Sequence, residues 1–144
     1  MREARERAGL TQAELAETSG VARPNIAAYE SGLRRPSPAM SRRLIEAARP
    51  KPHTSLDAHR DEVRRLADEF GLENPRVFGS VARGDDRPGS DLDLLVSVPK
   101  GKGLFALLGF ARAVEALLGV RVDVVSEGGL GDGHARIRHE AVPV

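Results

Sequence analysis

The chain has 144 residues, a formal net charge of +1 and no cysteine, which excludes disulfides and thiolate metal sites. Hydrophobic residues make up 40% of the sequence but aromatic residues only 3%, so a core must be built mainly from Leu, Val, Ile and Ala. No stretch approaches the ~20 apolar residues of a transmembrane helix, and the charged start MREARERAG lacks the apolar region of a secretory signal. We therefore expect a soluble cytoplasmic protein with no membrane partner.

The small net charge conceals an asymmetry between the two ends of the sequence. Residues 1–51 carry ten Arg and Lys against six Asp and Glu, giving +4, whereas residues 52–144 carry twelve against fifteen, giving −3. A basic part joined to an acidic part weakly indicates separate binding partners.

The first third of the sequence predicts four short helices. The first covers residues 2–8, and the second begins at Thr11, which forms a capping box with Glu14, and runs to about residue 17. A turn follows at residues 18–20. The third helix covers residues 23–31, and the fourth begins near Ser37 and ends before residue 50. We expect an all-α domain over residues 1–49.

The segment PKPHTSL, residues 50–56, predicts a semi-extended linker because its two prolines oppose a continuous helix. Beyond it, residues 57–69 predict an amphipathic helix with Val63, Leu66, Ala67 and Phe70 on one face.

The remaining sequence alternates strands and helices. Strands are predicted at 76–79, 91–98 and 120–126, and an apolar helix at 104–118. We assign to the core of this part five residues of that helix: Phe105, Leu107, Leu108, Phe110 and Ala111. The predicted fold class is therefore α+β, with a small all-α domain followed by an α/β domain, residues 57–144, that contains a short mixed sheet.

Residues 12–29 have the spacing of two helices joined by a tight turn. Ala16 allows a close approach between the helices, and Gly20 tolerates the positive φ of the turn. Val21, Ile26 and Tyr29 are predicted on the buried side of the second helix.

The stretch GLTQAELAETSGVARPNIAAYESGLRRPS resembles the phage-repressor-like (Xre/Cro) helix-turn-helix family over roughly residues 2–49. The resemblance implies contact with operator DNA. Gln12 would contact the phosphate backbone or a base, the recognition-helix residues would face the major groove, and two arginines would lie beside the phosphates. The residues concerned are Gln12, Arg23, Asn25, Ala28, Arg34 and Arg35. The alternative is a helical module used only for protein contact.

The densest chemical pattern is VFGSVARGDDRPGSDLDLLVSV, residues 77–98. A strand that ends at Gly79-Ser80 and turns into a helix offers free N–H groups to a phosphate. Asp91 and Asp93 lie two residues apart on a strand and share a face, and Asp123 lies on a second strand. If the strands are neighbours, three carboxylates converge, an arrangement suited to Mg²⁺. Asp123 could instead be an acid on an edge strand.

These residues resemble the polymerase-β-like nucleotidyltransferase superfamily, and the size and the ending HEAVPV look like its minimal nucleotidyltransferase subgroup. The resemblance implies ATP as substrate. Gly79, Ser80 and Ser90 would bind the nucleotide, and Asp91, Asp93 and Asp123 would be the catalytic residues and hold two Mg²⁺ ions.

Minimal nucleotidyltransferases act as antitoxins in HEPN/MNT toxin–antitoxin pairs. The resemblance thus implies an autoregulating antitoxin that binds its operator and transfers AMP from ATP to a tyrosine of a HEPN-type toxin. Two alternatives remain open, a non-catalytic antitoxin and repressor that masks its partner by binding, and a transcription factor that senses a nucleotide. We expect a homodimer or a hetero-oligomer with the toxin.

Overall fold

A computed structural model describes all residues, 1–144. The chain forms two compact units, Met1–Pro50 and Lys51–Val144, each with its own hydrophobic core. The first is all-helical and the second contains helices and a four-stranded mixed sheet, which confirms the predicted fold class. No helix has both the length and the hydropathy needed to cross a bilayer.

The N-terminal unit consists of four helices, α1 Arg2–Arg7, α2 Gln12–Ser19, α3 Arg23–Glu30 and α4 Pro38–Ala47. The capping box at the start of α2 is confirmed, since Thr11 Oγ1 accepts from the Glu14 N–H at 3.1 Å and Glu14 Oε2 accepts from the Thr11 N–H at 2.7 Å. Gly20 ends α2 with φ +67°, which confirms the positive φ predicted for this turn. The predicted turn is shorter than expected, because residues 18 and 19 still belong to α2.

The core of this unit lies where α2, α3 and α4 meet. Leu15, Ile26 and Leu44 have no solvent exposure, and Val21 is buried beside them. Tyr29 is partly buried and packs against this core, so the predicted buried side of the second motif helix is confirmed.

The predicted linker at 50–56 is wrong over most of its length, because Pro52–Ala58 form a helix, α5. Pro52 occupies the first helical position, where the missing N–H removes no intrahelical bond and φ is already suitable. The helix predicted from residue 57 therefore begins earlier and is interrupted at His59, after which α6 covers Arg60–Glu69. Val63 and Ala67 of α6 are buried as predicted.

The sheet of the C-terminal unit contains β1 Glu73–Phe78, β2 Leu92–Ser97, β3 Val122–Ser126 and β4 Val142–Pro143, in the order β3-β2-β1-β4. Strand β1 pairs antiparallel with β2 and β4, whereas β2 and β3 are parallel. A parallel pair needs a long crossover connection, which α8, Leu104–Leu118, supplies. Two short helices complete the unit, α7 Gly79–Arg83 and α9 Ala135–Glu140.

Helix α8 corrects part of the predicted core. Phe110 is fully buried, but Phe105 is 90% exposed and Leu108 50% exposed. The buried stripe of α8 consists of Phe110, Val114 and Leu118, which are spaced four residues apart. At about 100° per residue, the side chain of Phe105 lies roughly 140° from that of Phe110 around the helix axis, outside the stripe.

Candidate functional site

The candidate site begins where β1 ends and α7 starts. Gly79 has φ +73°, and a Cβ placed on it would overlap with the carboxylate of Asp93. Only glycine combines this backbone conformation with so close an approach. The turn therefore brings the start of α7 directly against a carboxylate of β2.

Asp93 and Asp123 are direct neighbours in the sheet. The parallel register of β2 and β3 pairs Asp93 with Asp123, and the antiparallel register of β1 and β2 pairs Asp93 with Phe78, the residue before the glycine turn. Burial raises the pKa of Asp93, and the charges of Asp123 and Asp91 raise it further. These shifts mean that the negative charges are close enough to repel one another.

Asp123 is less constrained than its position within a strand suggests. Strand β3 is an edge of the sheet, and Asp123 is exposed. Its charge is hydrated, so burial does not by itself require a cation beside this residue. Asp123 therefore lies on an edge strand, which is the position that the alternative interpretation of this residue gave it.

Asp91 lies immediately before β2 and is held by an arginine that sequence reasoning missed. The Nε and Nη2 atoms of Arg121 donate to the two carboxylate oxygens of Asp91 at 2.9 and 3.2 Å. Arg121 precedes Asp123 by two residues, as Asp91 precedes Asp93. Once β2 and β3 are placed in parallel register, this equal spacing would have indicated the ion pair.

The three aspartates fit Mg²⁺ in donor chemistry, because carboxylate oxygens are hard ligands and a cation would relieve the repulsion recorded in the raised pKa of Asp93. As the side chains stand, no three acidic or histidine residues have metal-binding geometry. Asp93 and Asp123 are the pair that would hold the ion. Asp91 can join them only after its bonds to Arg121 are broken.

The two predicted serines have different surroundings. Ser80 lies in the first turn of α7, and its backbone carbonyl accepts from the Asp85 N–H at 3.0 Å. Ser90 closes a tight turn, since its hydroxyl accepts from the Arg87 N–H at 2.9 Å and its own N–H donates to the Arg87 carbonyl at 2.9 Å. The Ser90 hydroxyl thus already has a structural partner next to Asp91.

Sequence reasoning also missed Glu140, the last residue of α9. Arg83 Nη1 donates to Glu140 Oε1 at 2.7 Å. This hydrogen bond lowers the pKa of Glu140. Because 57 residues separate Arg83 from Glu140, no local pattern could have indicated the contact.

In the N-terminal unit, the residues predicted to face DNA differ in their availability. Arg23, Arg34 and Arg35 are exposed, and Ala28 is half-buried on α3. Arg34 Nη1 lies 3.4 Å from the side-chain oxygen of Asn25, its acceptor. This hydrogen bond joins Arg34 and Asn25 at the surface of the unit.

Gln12 does not point freely to solvent. Its side-chain amide donates to Glu30 Oε2 at 2.9 Å, and Arg5 donates to both oxygens of the same carboxylate at 2.8 and 3.1 Å. The Glu30 side chain is fully buried, and the Arg5 and Gln12 hydrogen bonds outweigh burial to lower its pKa to about 2. This network joins α1 and α2 to α3.

The site combines a glycine turn between a strand and a helix with aspartates on two adjacent parallel strands. Residues 56–144 match the nucleotidyltransferase domain family, and residues 1–51 match the helix-turn-helix family. The chain belongs to the nucleotidyltransferase domain family and carries a helix-turn-helix domain at its N-terminus.

Comparisons with individual proteins agree with the match to the nucleotidyltransferase domain family. The protein adenylyltransferase MntA of Thermococcus cleftensis is 38% identical over 81 residues, which cover 56% of this chain and 79% of that protein. A solved minimal nucleotidyltransferase superimposes with a TM-score of 0.59 at 45% identity, over 64% of this chain and 95% of that one. A toxin–antitoxin crystal structure with AMP-PNP gives a TM-score of 0.52 at 19% identity, over 58% and 69% of the two chains, which shows a shared fold alone.

Proposed function

We propose that this protein is an antitoxin that transfers AMP from ATP to a tyrosine hydroxyl of a HEPN-type toxin in the cytoplasm and binds its own operator. The observation that carries the proposal is the register that pairs Asp93 with Asp123 beside the Gly79 turn. A relative with 38% identity is named as a protein adenylyltransferase, which supports a protein as the acceptor.

In the proposed reaction, the acceptor oxygen forms a bond to the α-phosphorus of ATP while the bond from that phosphorus to the β-phosphate oxygen breaks. AMP becomes esterified to the acceptor, and pyrophosphate leaves. Bound Mg²⁺ would neutralise charge on the phosphates and orient them. The residues proposed to hold it are Asp93 and Asp123, with Asp91 once it leaves Arg121.

The chain's own groups would position the two substrates. The start of α7, with the Gly79 N–H and the Ser80 hydroxyl, is proposed to bind the phosphates, and Ser90 to support the same site. The hydroxyl proton is proposed to pass to Asp123, whose exposure on an edge strand leaves it accessible to an acceptor on another protein.

The helix-turn-helix unit is proposed to bind operator DNA as a dimer, with α3 in the major groove. Arg23, Asn25 and Ala28 would face base edges, and Arg34 and Arg35 the phosphates. Gln12 would need only its free carbonyl oxygen, or release from Glu30, to take part.

A second candidate function is a non-catalytic antitoxin that masks its partner. The pairing of Asp91 with Arg121 favours it. An aspartate neutralised by an arginine needs no cation.

Label transfer from α-³²P-ATP with Mg²⁺ to the toxin encoded beside this protein separates the two functions. The test variant is Asp91→Ala with Asp93→Ala. A matched control, Asp61→Ala with Glu62→Ala, removes two charges from α6, where these side chains are 84% and 43% exposed.

Label on the toxin that the control retains and the test variant loses supports the adenylyltransferase. Absence of label, with the test variant still binding and silencing the toxin, moves the protein to the masking class. Label that persists in the test variant contradicts the catalytic role of these aspartates.

A further inference from the structure

A buried carboxylate lies in the loop that joins α7 to β2. The side chain of Asp86 is only 1% exposed, and Asp86 is the one buried residue of this loop, Gly84–Ser90. An unpaired carboxylate would be costly at this depth, so a specific partner is expected. The loop leads directly into Asp91 and β2, and its position therefore determines where these parts of the site begin.

The partners of this carboxylate all belong to His53, in the first turn of α5. The backbone N–H of His53 donates to Asp86 Oδ2 at 3.0 Å, and the imidazole Nδ1 lies 2.9 and 3.1 Å from the two carboxylate oxygens. Because an ionised carboxylate can only accept, Nδ1 carries the proton. Lys51, the residue before α5, provides no side-chain cap, and Asp86 satisfies a free N–H of the helix in its place.

The other hydrogen bonds of the loop do not reach beyond α7. The Asp85 N–H donates to the carbonyl of Ser80, in α7, at 3.0 Å. Arg87 and Ser90 bond to each other, at 2.9 Å from either N–H. Asp86 is therefore the only residue of the loop that joins it by hydrogen bonds to another part of the unit.

Helix α5 offers a fixed base for this contact. Pro52 and Leu56 of α5 are buried, and Leu56 belongs to the hydrophobic core of the unit. The Ser55 hydroxyl donates to the carbonyl of Leu118, the last residue of α8, at 2.7 Å. Because α5 is held independently of the loop, its contact through His53 can fix where the loop lies.

We propose that the Asp86–His53 pair is a positioning anchor, which holds the loop against α5 and so keeps Ser90 and Asp91 at the nucleotide site. This inference rests on the proposed function, in which Ser90 supports nucleotide binding and Asp91 joins the metal ligands. Neither member of the pair contacts the nucleotide in this role. When the anchor is broken, fewer molecules hold the loop in place, and the apparent dissociation constant rises in inverse proportion to that fraction.

Three variants separate the anchor from the general stability of α5. Asp86→Ala removes the anchor completely, whereas His53→Ala removes the imidazole, which is 45% exposed, and keeps the backbone N–H. Ser55→Ala is the matched control, because it removes a different hydrogen bond of α5, the one to α8. Circular dichroism measures the folded fraction. In a variant that is at least about 90% folded, unfolding weakens the apparent affinity by at most about 1.1-fold.

Amide hydrogen exchange on the full chain, with mass spectrometry of peptides covering residues 84–91, measures how often the loop opens. Asp86→Ala should speed exchange of the hydrogen-bonded loop amides at least about tenfold, the equivalent of one charge-assisted hydrogen bond. His53→Ala should speed it about threefold, because the bond from the backbone N–H remains. Ser55→Ala should leave the exchange of these amides unchanged.

Isothermal titration calorimetry with α,β-methylene-ATP and Mg²⁺ measures the consequence for the site. In this probe the bond that adenylyl transfer breaks is blocked, so binding is measured without turnover. We expect the affinity to fall about tenfold in Asp86→Ala and about threefold in His53→Ala, as the loop is less often in place. The affinity of Ser55→Ala should equal that of the wild type.

Faster exchange and weaker binding in both test variants, with neither in the control, support the anchor. Wild-type exchange in a folded Asp86→Ala, faster exchange with unchanged affinity, or equal effects in Ser55→Ala each overturn the proposal. If Asp86→Ala does not fold, the same comparisons with His53→Ala decide. If the wild type does not bind the probe, the proposed nucleotide site fails, and the exchange rates alone decide whether the pair anchors the loop.

Discussion

Replacing Glu30 by Gln should strongly destabilise the N-terminal unit. The buried carboxylate of Glu30 accepts hydrogen bonds from Arg5 and Gln12, which join α1 and α2 to α3. Its pKa is lowered from 4.5 to about 2. A difference of about 2.5 pKa units corresponds to about 3 kcal/mol of stabilisation at neutral pH. A unit of 50 residues has only a few kcal/mol in total, so the variant should lie near its unfolding midpoint without denaturant.

The sequence offers a probe for this measurement. Tyr29 is the only tyrosine, and there is no tryptophan, so intrinsic fluorescence of the full chain reports the N-terminal unit alone. Urea titrations would compare the wild type, Glu30→Gln and the control Glu17→Gln, which removes an exposed charge from α2.

The pH dependence gives the sign of the effect. Because the pKa of Glu30 is lower in the folded state, its stabilisation is present above about pH 4.5 and is lost as the pH falls towards 2. The wild type and Glu30→Gln should therefore converge in stability over that range. A loss below about 1 kcal/mol at pH 7, or a difference that stays constant down to pH 2, would refute the role given to this network.

Three further outcomes are expected. Gly79→Ala should abolish label transfer, because its Cβ would overlap with Asp93 and its φ of +73° is strained for alanine; activity near the wild-type level in the transfer assay would contradict the close approach. Asp93→Asn should raise the melting temperature of the C-terminal unit at pH 7, because burial and neighbouring charges disfavour the ionised carboxylate of Asp93. This gain in melting temperature should vanish at pH values below the ordinary pKa of an aspartate, where the carboxyl group is neutral in both states. Calorimetry from pH 3 to 7 checks the sign. Operator affinity should fall steeply with salt, and replacing Arg23, Arg34 and Arg35 by Gln should reduce the log–log salt slope by up to about 3; a flat response in fluorescence anisotropy counts against DNA binding.

Local sequence chemistry determined several elements of both units, though not all of them. The capping box of Thr11 and Glu14 and the left-handed Gly20 are short-range features, because each depends on backbone groups a few residues away. The strand predicted at 91–98 is present as β2, in which Leu92, Leu94 and Val96 are buried. Proline did not by itself distinguish an extended segment from the start of a helix, because Pro52 begins α5 in the segment predicted to be extended.

Tertiary structure decided which distant groups meet. The sequence alone identified Asp91, Asp93 and Asp123 as candidates, but only the parallel register of β2 and β3 pairs Asp93 with Asp123 and brings Arg121 onto Asp91. The contact of Glu140 with Arg83 spans 57 residues. Contacts between residues far apart in sequence depend on how whole strands and helices pack, because no local backbone preference encodes them.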